Sequence, residues 1–310
     1  MLVTVVGAGV SGLSTAVALE EAGHHVRVIA REKGDATTSA AAGAIWYPFR
    51  ADPPDRVNRW ASRTREYLAE LAASAPQSGV DVLTLYELVD DDSRPWWAES
   101  AGELRHVRAS DSTPFPLPSR GAWVFRAPRI VPALHLAWLE SQLAAPIEIR
   151  AVESLDAVPG DMVVNCTGLG ARQLCGDTEL LAVFGQTVVV EGLHLEPGLV
   201  ISDERDPDEI FYAIPRRGEV LLGGCAIDCD DDRALEPGPV LRDAILARAR
   251  RLGFEPGALL RERCGLRPYR SSVRVERDGR IVHNYGHGGA GYTLARGCAE
   301  EVLELVARHD

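Results

Sequence analysis

LVTVVGAGVSGLSTAVALEEAGHHVRVIARE, residues 2–32, decides the fold. Leu2 to Val6 is a short apolar run of the kind a strand buried on both faces requires, and it ends directly in Gly7, Ala8, Gly9, Val10, Ser11 and Gly12. Leu13, Ala16, Val17 and Leu19 then recur at helical spacing, Gly23 supplies a stop, and Val26 to Ala30 reads as a second buried strand. The whole is a βαβ unit. In its G-x-G-x-x-G turn Gly7 permits the tight bend, Gly9 lets a pyrophosphate approach the backbone, and Gly12 lets helix pack on strand. The helix start then faces an anion, and an acid about 20 residues further on binds a ribose hydroxyl. Glu32 stands in that place. These residues predict a dinucleotide site and leave NAD and FAD both open.

The rest of the composition narrows the class. At 310 residues the chain can build two domains at roughly 150 residues each. Its 33 basic and 45 acidic residues give a net charge of −12, which argues against a nucleic-acid or anionic-membrane partner. No apolar run approaches the ~18 residues of a membrane span, and no basic region precedes the first apolar stretch, so neither a span nor a signal peptide is expected. A cytoplasmic protein is the default. The six cysteines, at 166, 175, 225, 229, 264 and 298, show no metal-ligand spacing and read as buried thiols; Cys225 and Cys229 are near in sequence, which does not establish a bridge. No metal site is expected.

After the opening unit, Asp35 to Ala44 is rich in small and hydroxyl residues, which suit close backbone approach to a phosphate or sugar. Pro53, Pro54 and Asp55 start a helix whose stripe of Val57, Trp60, Ala61, Thr64, Tyr67, Leu68 and Leu71 predicts core packing. Strands are expected at 80–89 and 121–125, with a polar stretch through Trp96 and Trp97 between them, then a helix over 130–143 and a strand over 147–152. A buried strand at 161–167 ends in Gly168-Leu169-Gly170, a second strand-to-glycine turn that returns the chain to the nucleotide domain. Four short strands follow at 184–191, 199–202, 210–214 and 219–223, an antiparallel layer and a second domain. An arginine-rich helix over 240–252 presents a solvated charged face. Strands near 273–276 and 280–284, a turn at 286–291 and a helix over 292–307 close the chain.

That last turn, NYGHGGAGYT, places Gly286, Gly288, Gly289 and Gly291 between strand and helix, so a flat or anionic group can lie against the backbone at the helix's positive end. At this point the chain resembles the FAD-dependent D-amino-acid oxidases. Five segments carry the likeness in order: VVGAGVSGLSTA at the start, AAGAIWYP at 41–48, FYAIP with LLGG at 211–224, CGLRPYR at 264–270, and NYGHGGAGYT at 284–293. The last two, with their spacing, are the specific ones.

The resemblance implies an α/β fold: a Rossmann-like FAD-binding domain assembled from 1–50, 128–182 and 262–310, and a substrate domain with an antiparallel sheet from 51–127 and 183–261. It implies that Arg267 binds the substrate carboxylate, that Tyr212 adds a hydrogen bond, and that the Gly289 carbonyl accepts from the amine. Ile45 and Ile214 would line the side-chain pocket. Along the FAD it places the 7–12 turn, Arg31, Glu32, Thr38, Ser39, Gly43, Ala44, Val152, Gly168, Gly288, Gly289, Gly291, Tyr292 and Thr293, with Val152 near the adenine and Thr293 by the flavin O2. Without their motifs, Arg267 would read as a surface ion pair and Tyr212 as packing. His287 reads as structural, and no acid or base is expected, because hydride transfer to the flavin needs orientation instead. The partners implied are a D-amino acid and O2, and a homodimer is compatible.

Some positions depart from the family pattern. Asp208 stands where mammalian members carry a second tyrosine, the 202–209 loop is short and acidic, which puts a closing lid in doubt, and Ala290 replaces a tyrosine. Arg216 and Arg217 are the cations that could serve an acidic side chain, but their expected place is a solvated turn, which favours neutral substrates. A D-aspartate oxidase, a glycine or sarcosine oxidase, and a non-catalytic dinucleotide-binding protein are the alternatives.

Overall fold

The structure, a computed structural model, describes residues 1–193, 198–229 and 236–308. In chain order its main elements are β1 (Leu2–Val6), α1 (Val10–Glu21), β2 (His25–Ala30), α2 (Pro54–Ser74), β3 (Val80–Val89), β4 (Leu104–Arg108), β5 (Gly121–Ile130), α3 (Pro132–Ser141), β6 (Glu148–Ile149), β7 (Met162–Asn165), α4 (Ala171–Cys175), β8 (Leu181–Val190), β9 (Leu199–Asp203), β10 (Phe211–Arg216), β11 (Glu219–Gly223), β12 (Ile227–Cys229), α5 (Pro239–Arg251), β13 (Leu259–Asp278), β14 (Ile281–His287) and α6 (Gly291–Ala307). The chain forms two compact units, one from Met1–Asp81, Pro128–Ala182 and Arg267–Asp310, the other from Val82–Ala127 and Val183–Leu266.

The first unit is a parallel sheet in the order β14-β7-β1-β2-β6, with the later part of β13 antiparallel to β14. Central β1 pairs on both sides, Val3 with Val26 and with Met162, and four of its five residues are buried without alternation, as a strand covered on both faces must be. Helix α1 is buried from Gly12 to Leu19 and packs on α6. Helix α2 follows the apolar stripe read from the sequence: Val57, Trp60, Ala61, Thr64, Leu68 and Leu71 are buried, and Tyr67 is half-buried. Its partner is α6. The Trp60 indole donates to Glu301 (2.7 Å), Arg56 pairs with Glu301, and Gly297 N–H donates to Thr64 Oγ1 (2.9 Å). This packing corrects the boundary expected at residue 51: residues 51–81 belong with the first unit, whereas 262–266 belong with the second.

In the second unit the strand order is β4-β5-β3-β9-β10-β11-β8, continued by the start of β13. The layer is antiparallel from β9 through β8, as expected, but β3 runs parallel to β9, Tyr86 opposite Ile201. Alternate residues divide the two faces. Phe211, Ala213, Val220, Leu222, Val188 and Val190 join Ile245 and Ala249 of α5 in one core. Tyr212 and Ile214 therefore stand on the other face.

Several expected elements change in extent. β4 and β12 lay unread, since β4 is a charged edge strand with only Val107 buried, and edge strands are commonly blunted by charge. β13 runs 20 residues where a short strand at 273–276 was expected, its arginines masking the alternation. The strand expected at 147–152 shrinks to two residues. Of the two tryptophans, Trp97 is buried against Phe125 and Trp96 is exposed. None of the six cysteines is in a disulfide; Cys166, Cys225 and Cys298 are buried and the other three half-buried.

The arginine-rich helix is not wholly a solvated face. Arg248 is buried, and its guanidinium donates to the carbonyls of Ile210 and Gly224 (3.1 Å to the latter), fixing the entry to β10 and the exit from β11. Truncating it leaves two carbonyls without that donor, so Arg248→Ala is expected to lower unfolding stability by about 1–3 kcal/mol, read by urea denaturation. Burial also depresses three histidines: His135, donating from Nδ1 to Ser78 O (3.1 Å), His283 and His287 are all held at about 4, against the ordinary ~6.5. Between these values the unfolded chain binds protons that the folded chain does not, so this stabilisation is complete above about pH 6.5 and is lost on acidification toward 4. Melting temperature is expected to fall across that window, and less steeply in His135→Asn.

Candidate functional site

The opening turn behaves as its glycines require. Gly7 has φ +118, and a Cβ there would overlap the carbonyl of Cys166, the residue after β7; a Cβ on Gly12 would overlap the Gly7 carbonyl and lie 3.3 Å from Cys166 Cβ. Only hydrogen atoms fit in this three-way packing. Ala8 and Val10 are buried, and Ser11 donates to Asn284 O (3.4 Å). At the start of α1 the Val10 N–H donates to Ser39 Oγ (3.0 Å), which would also lie 3.0 Å from a Cβ on Gly9. The remaining first-turn N–H groups have no intrahelical acceptor. Groups of this kind can donate to an anion.

Ser39 lies in a short turn, Thr38–Ala41, and also accepts the Tyr292 hydroxyl at its carbonyl (3.1 Å). One residue thus ties the start of α1 to the start of α6. The two helix starts are neighbours, for a Cβ on Gly291 would lie 3.7 Å from Val10 Cγ1. Gly43 is half-buried and Ala44 buried; Ala44 takes the left-handed φ of 52, costing roughly 1–2 kcal/mol. The pairing of Ile130 N–H with Ala44 O (2.8 Å) and Trp46 N–H with Pro128 O (2.8 Å) holds it there, with Ile45 bridged to Arg129. Val152 packs on the Val6 and Ile29 cluster beside the parallel sheet. Gly168, φ +56, turns the chain next to Pro268.

Two residues expected along the cofactor also have protein partners. Glu32 pairs with its neighbour Arg31 at 2.8 Å on an exposed surface, where such a pair is worth at most about 1 kcal/mol. Thr38 is exposed. The Thr293 hydroxyl, expected by the flavin O2, is engaged twice by Tyr47, donating to its carbonyl (2.9 Å) and accepting its N–H (3.1 Å). What Thr293 can offer an anion is its backbone N–H in the first turn of α6.

The C-terminal turn runs from β14 through Gly288–Ala290 into α6. Gly289 is hemmed in: a Cβ there would lie 2.5 Å from the Phe49 ring and 3.6 Å from Arg267 Cδ. The structure thus brings the Arg267 side chain beside the Gly289 backbone. Nothing in the sequence marked Phe49 as their neighbour. The backbone after Arg267 is anchored by Asp177, which accepts from Arg270 Nε (3.1 Å) and from the Tyr285 hydroxyl (2.8 Å), an arrangement equally unmarked in the sequence.

Behind the turn lies a buried polar chain. Asn284 donates to Thr15 Oγ1 (3.0 Å), Thr15 donates to Ser11 O (2.8 Å), and His287 Nε2 meets Asn284 Oδ1 (3.0 Å). His287 is thereby neutral and engaged, in keeping with a structural role, and burial pushes the neighbouring Cys166 thiol up to about 12, so it carries no thiolate chemistry.

In the second unit Tyr212 is half-buried and Ile214 fully buried on one face of β10. Arg216 corrects the expected solvated turn: it ends β10 on that same face, half-buried and opposite Glu219, while Arg217 and Gly218 (φ +72) make the turn. The 202–209 loop is held by Arg205, which pairs with Asp203 (2.8 Å) and Asp90 (3.2 Å). Among the described residues no group of three or more His, Cys, Asp or Glu could hold a metal, and no helix is long and apolar enough to cross a membrane.

Comparison with known proteins agrees with this arrangement. Residues 3–305 match the model of the FAD dependent oxidoreductase family. The chain is 43% identical to a D-amino-acid oxidase of Streptomyces coelicolor, covering 98% of this chain and 96% of that one, and 42% identical to a D-amino-acid oxidase of Rubrobacter xylanophilus, covering 97% and 94%. Among solved structures, glycine oxidase from Geobacillus kaustophilus superposes with a TM-score of 0.80 at 18% identity, over 99% of this chain and 95% of that one, a likeness of fold. Strand order, paired glycine turns and full-length similarity converge: the chain belongs to the family of FAD dependent oxidoreductases.

Proposed function

We propose that the protein oxidises D-amino acids to 2-oxo acids, consuming oxygen and water and releasing ammonia and hydrogen peroxide. Near-full-length identity above 40% to two D-amino-acid oxidases supports the activity. The observation that carries the site is the Arg267 side chain lying beside the Gly289 backbone, a cation next to a carbonyl-bearing turn.

The residues present fit FAD. The α1 start offers first-turn N–H groups over a glycine turn, Ser39 adds a hydroxyl, and the α6 start supplies a second positive end beside the first. When bound, FAD accepts the hydride from the substrate α-carbon, and oxygen takes the electrons on as peroxide. The chain's own residues do the rest by orientation. The planar fork of Arg267 takes the substrate carboxylate through two parallel hydrogen bonds, and the Gly289 carbonyl accepts from the amine. Tyr212, carried by the second unit, is assigned the further hydrogen bond to the carboxylate on the motif in which it stands, with Ile45 and Ile214 assigned to the side chain. With carboxylate and amine both fixed, one face of the α-carbon is presented, which selects one enantiomer, and the activity named for the relatives assigns it as D. No residue need act as acid or base, and the neutral, buried His287 is in keeping with that.

A peroxide-coupled screen of D- and L-amino acids is expected to respond to D-enantiomers alone, and anaerobic D-alanine or D-valine to bleach the yellow protein. A yellow protein that yields peroxide from no D-amino acid would instead be a non-catalytic flavin binder. Arg267→Ala is expected to raise KM by roughly 10- to 100-fold, the worth of a charge-assisted hydrogen bond or more, while flavin absorbance is retained. Unchanged kinetics would remove Arg267 from the site.

A further inference from the structure

Tyr212 and Gly223 are direct cross-strand partners on β10 and β11. A Cβ built on Gly223 would fall inside the van der Waals envelope of Tyr212 Cζ, Oη and Cε2. The ring therefore does not stand upright from the sheet. It lies across the β11 backbone, and the atoms closest to Gly223 are those of its hydroxyl end. On the other flank of Tyr212 stands Ser202 of β9, so the phenol leans away from β9 and over the strand that carries the glycine.

We propose that Gly223 is a positioning residue for the reaction: its missing side chain is the seat that sets where the Tyr212 hydroxyl points. The inference rests on the assignment of Tyr212 to the substrate carboxylate and adds to it the reason for the geometry. A glycine in a strand often marks a close approach, and at Gly223, which ends β11, the approaching group is the Tyr212 ring.

The neighbouring glycine shows the contrast. Gly224 has φ +149, and a Cβ there would lie 2.9 Å from the carbonyl carbon of Ile210 and 3.1 Å from Phe211 Cα, so its requirement is set by backbone that cannot yield. Gly223 has no left-handed φ, and what a methyl would meet is the far end of a rotatable side chain. The ring can swing aside. Gly223→Ala should therefore keep the fold and lose the aim, whereas Gly224→Ala should lose the fold.

The experiment compares Gly223→Ala, Tyr212→Ala and the double variant as flavin-loaded proteins, measuring melting temperature, flavin retention, and KM and kcat with one D-amino acid. Gly223→Ala is expected to retain flavin and to raise KM roughly 10-fold or more, the scale of one hydrogen bond to a charged group, with kcat less affected. In the Tyr212→Ala background, where there is no ring to displace, the same substitution is expected to add nothing. A wild-type KM in Gly223→Ala, or a loss of equal size with and without the tyrosine, overturns the proposal. If Gly223→Ala does not fold, recovery of folding in the double variant upholds the ring clash, and failure of both assigns the glycine to the backbone and overturns it. Tyr212→Ala with unchanged KM would instead remove Tyr212 from the substrate site, a failure of the underlying assignment.

Discussion

Two helix starts, drawn from opposite ends of the chain, stand side by side, and the first unit depends on their meeting. Val10 opens α1 and Gly291 opens α6, close enough that a single added carbon on Gly291 would touch Val10. Each start carries partial positive charge and unpaired N–H groups, and placing two together would be unfavourable without an anion to receive them. Ser39 answers part of that demand: its hydroxyl takes the Val10 N–H, and its carbonyl takes the Tyr292 hydroxyl. The remaining first-turn donors are the groups the proposed cofactor site would offer an anion.

Holding the helices so close has consequences deeper in the core. Thr15 and Asn284 meet across the interface, Asn284 holds His287, and Cys166 lies at the same junction. This polar chain is neutral throughout, since burial keeps His287 unprotonated and Cys166 protonated. In a low-dielectric interior, neutral groups that satisfy one another cost little and fix geometry.

The second unit makes its contribution through the two-residue period of a strand. Phe211 and Ala213 go to the α5 core, and Tyr212 and Ile214 to the opposite face, so the same short segment both anchors the sheet and presents a surface. Arg248 secures that segment from the core side by taking the Ile210 and Gly224 carbonyls. Gly223 serves it from the other side.

The sequence by itself determined the βαβ start, the glycine turns and most strands, because these rest on local constraints: backbone conformations that only glycine adopts easily, and apolar runs of strand length. Motif spacing also marked Arg267, Tyr212 and Gly289 as candidates. Less was legible where long-range packing decides. The boundary near residue 81 follows from α2 packing on α6, and the burial of Arg248 from two carbonyls brought to it by β10 and β11. Thr293 donates its hydroxyl to Tyr47, 246 residues away in sequence. Phe49 against Gly289 and the Tyr212 ring over Gly223 were settled by tertiary structure alone, because a side chain's direction depends on which strand or turn lies beside it.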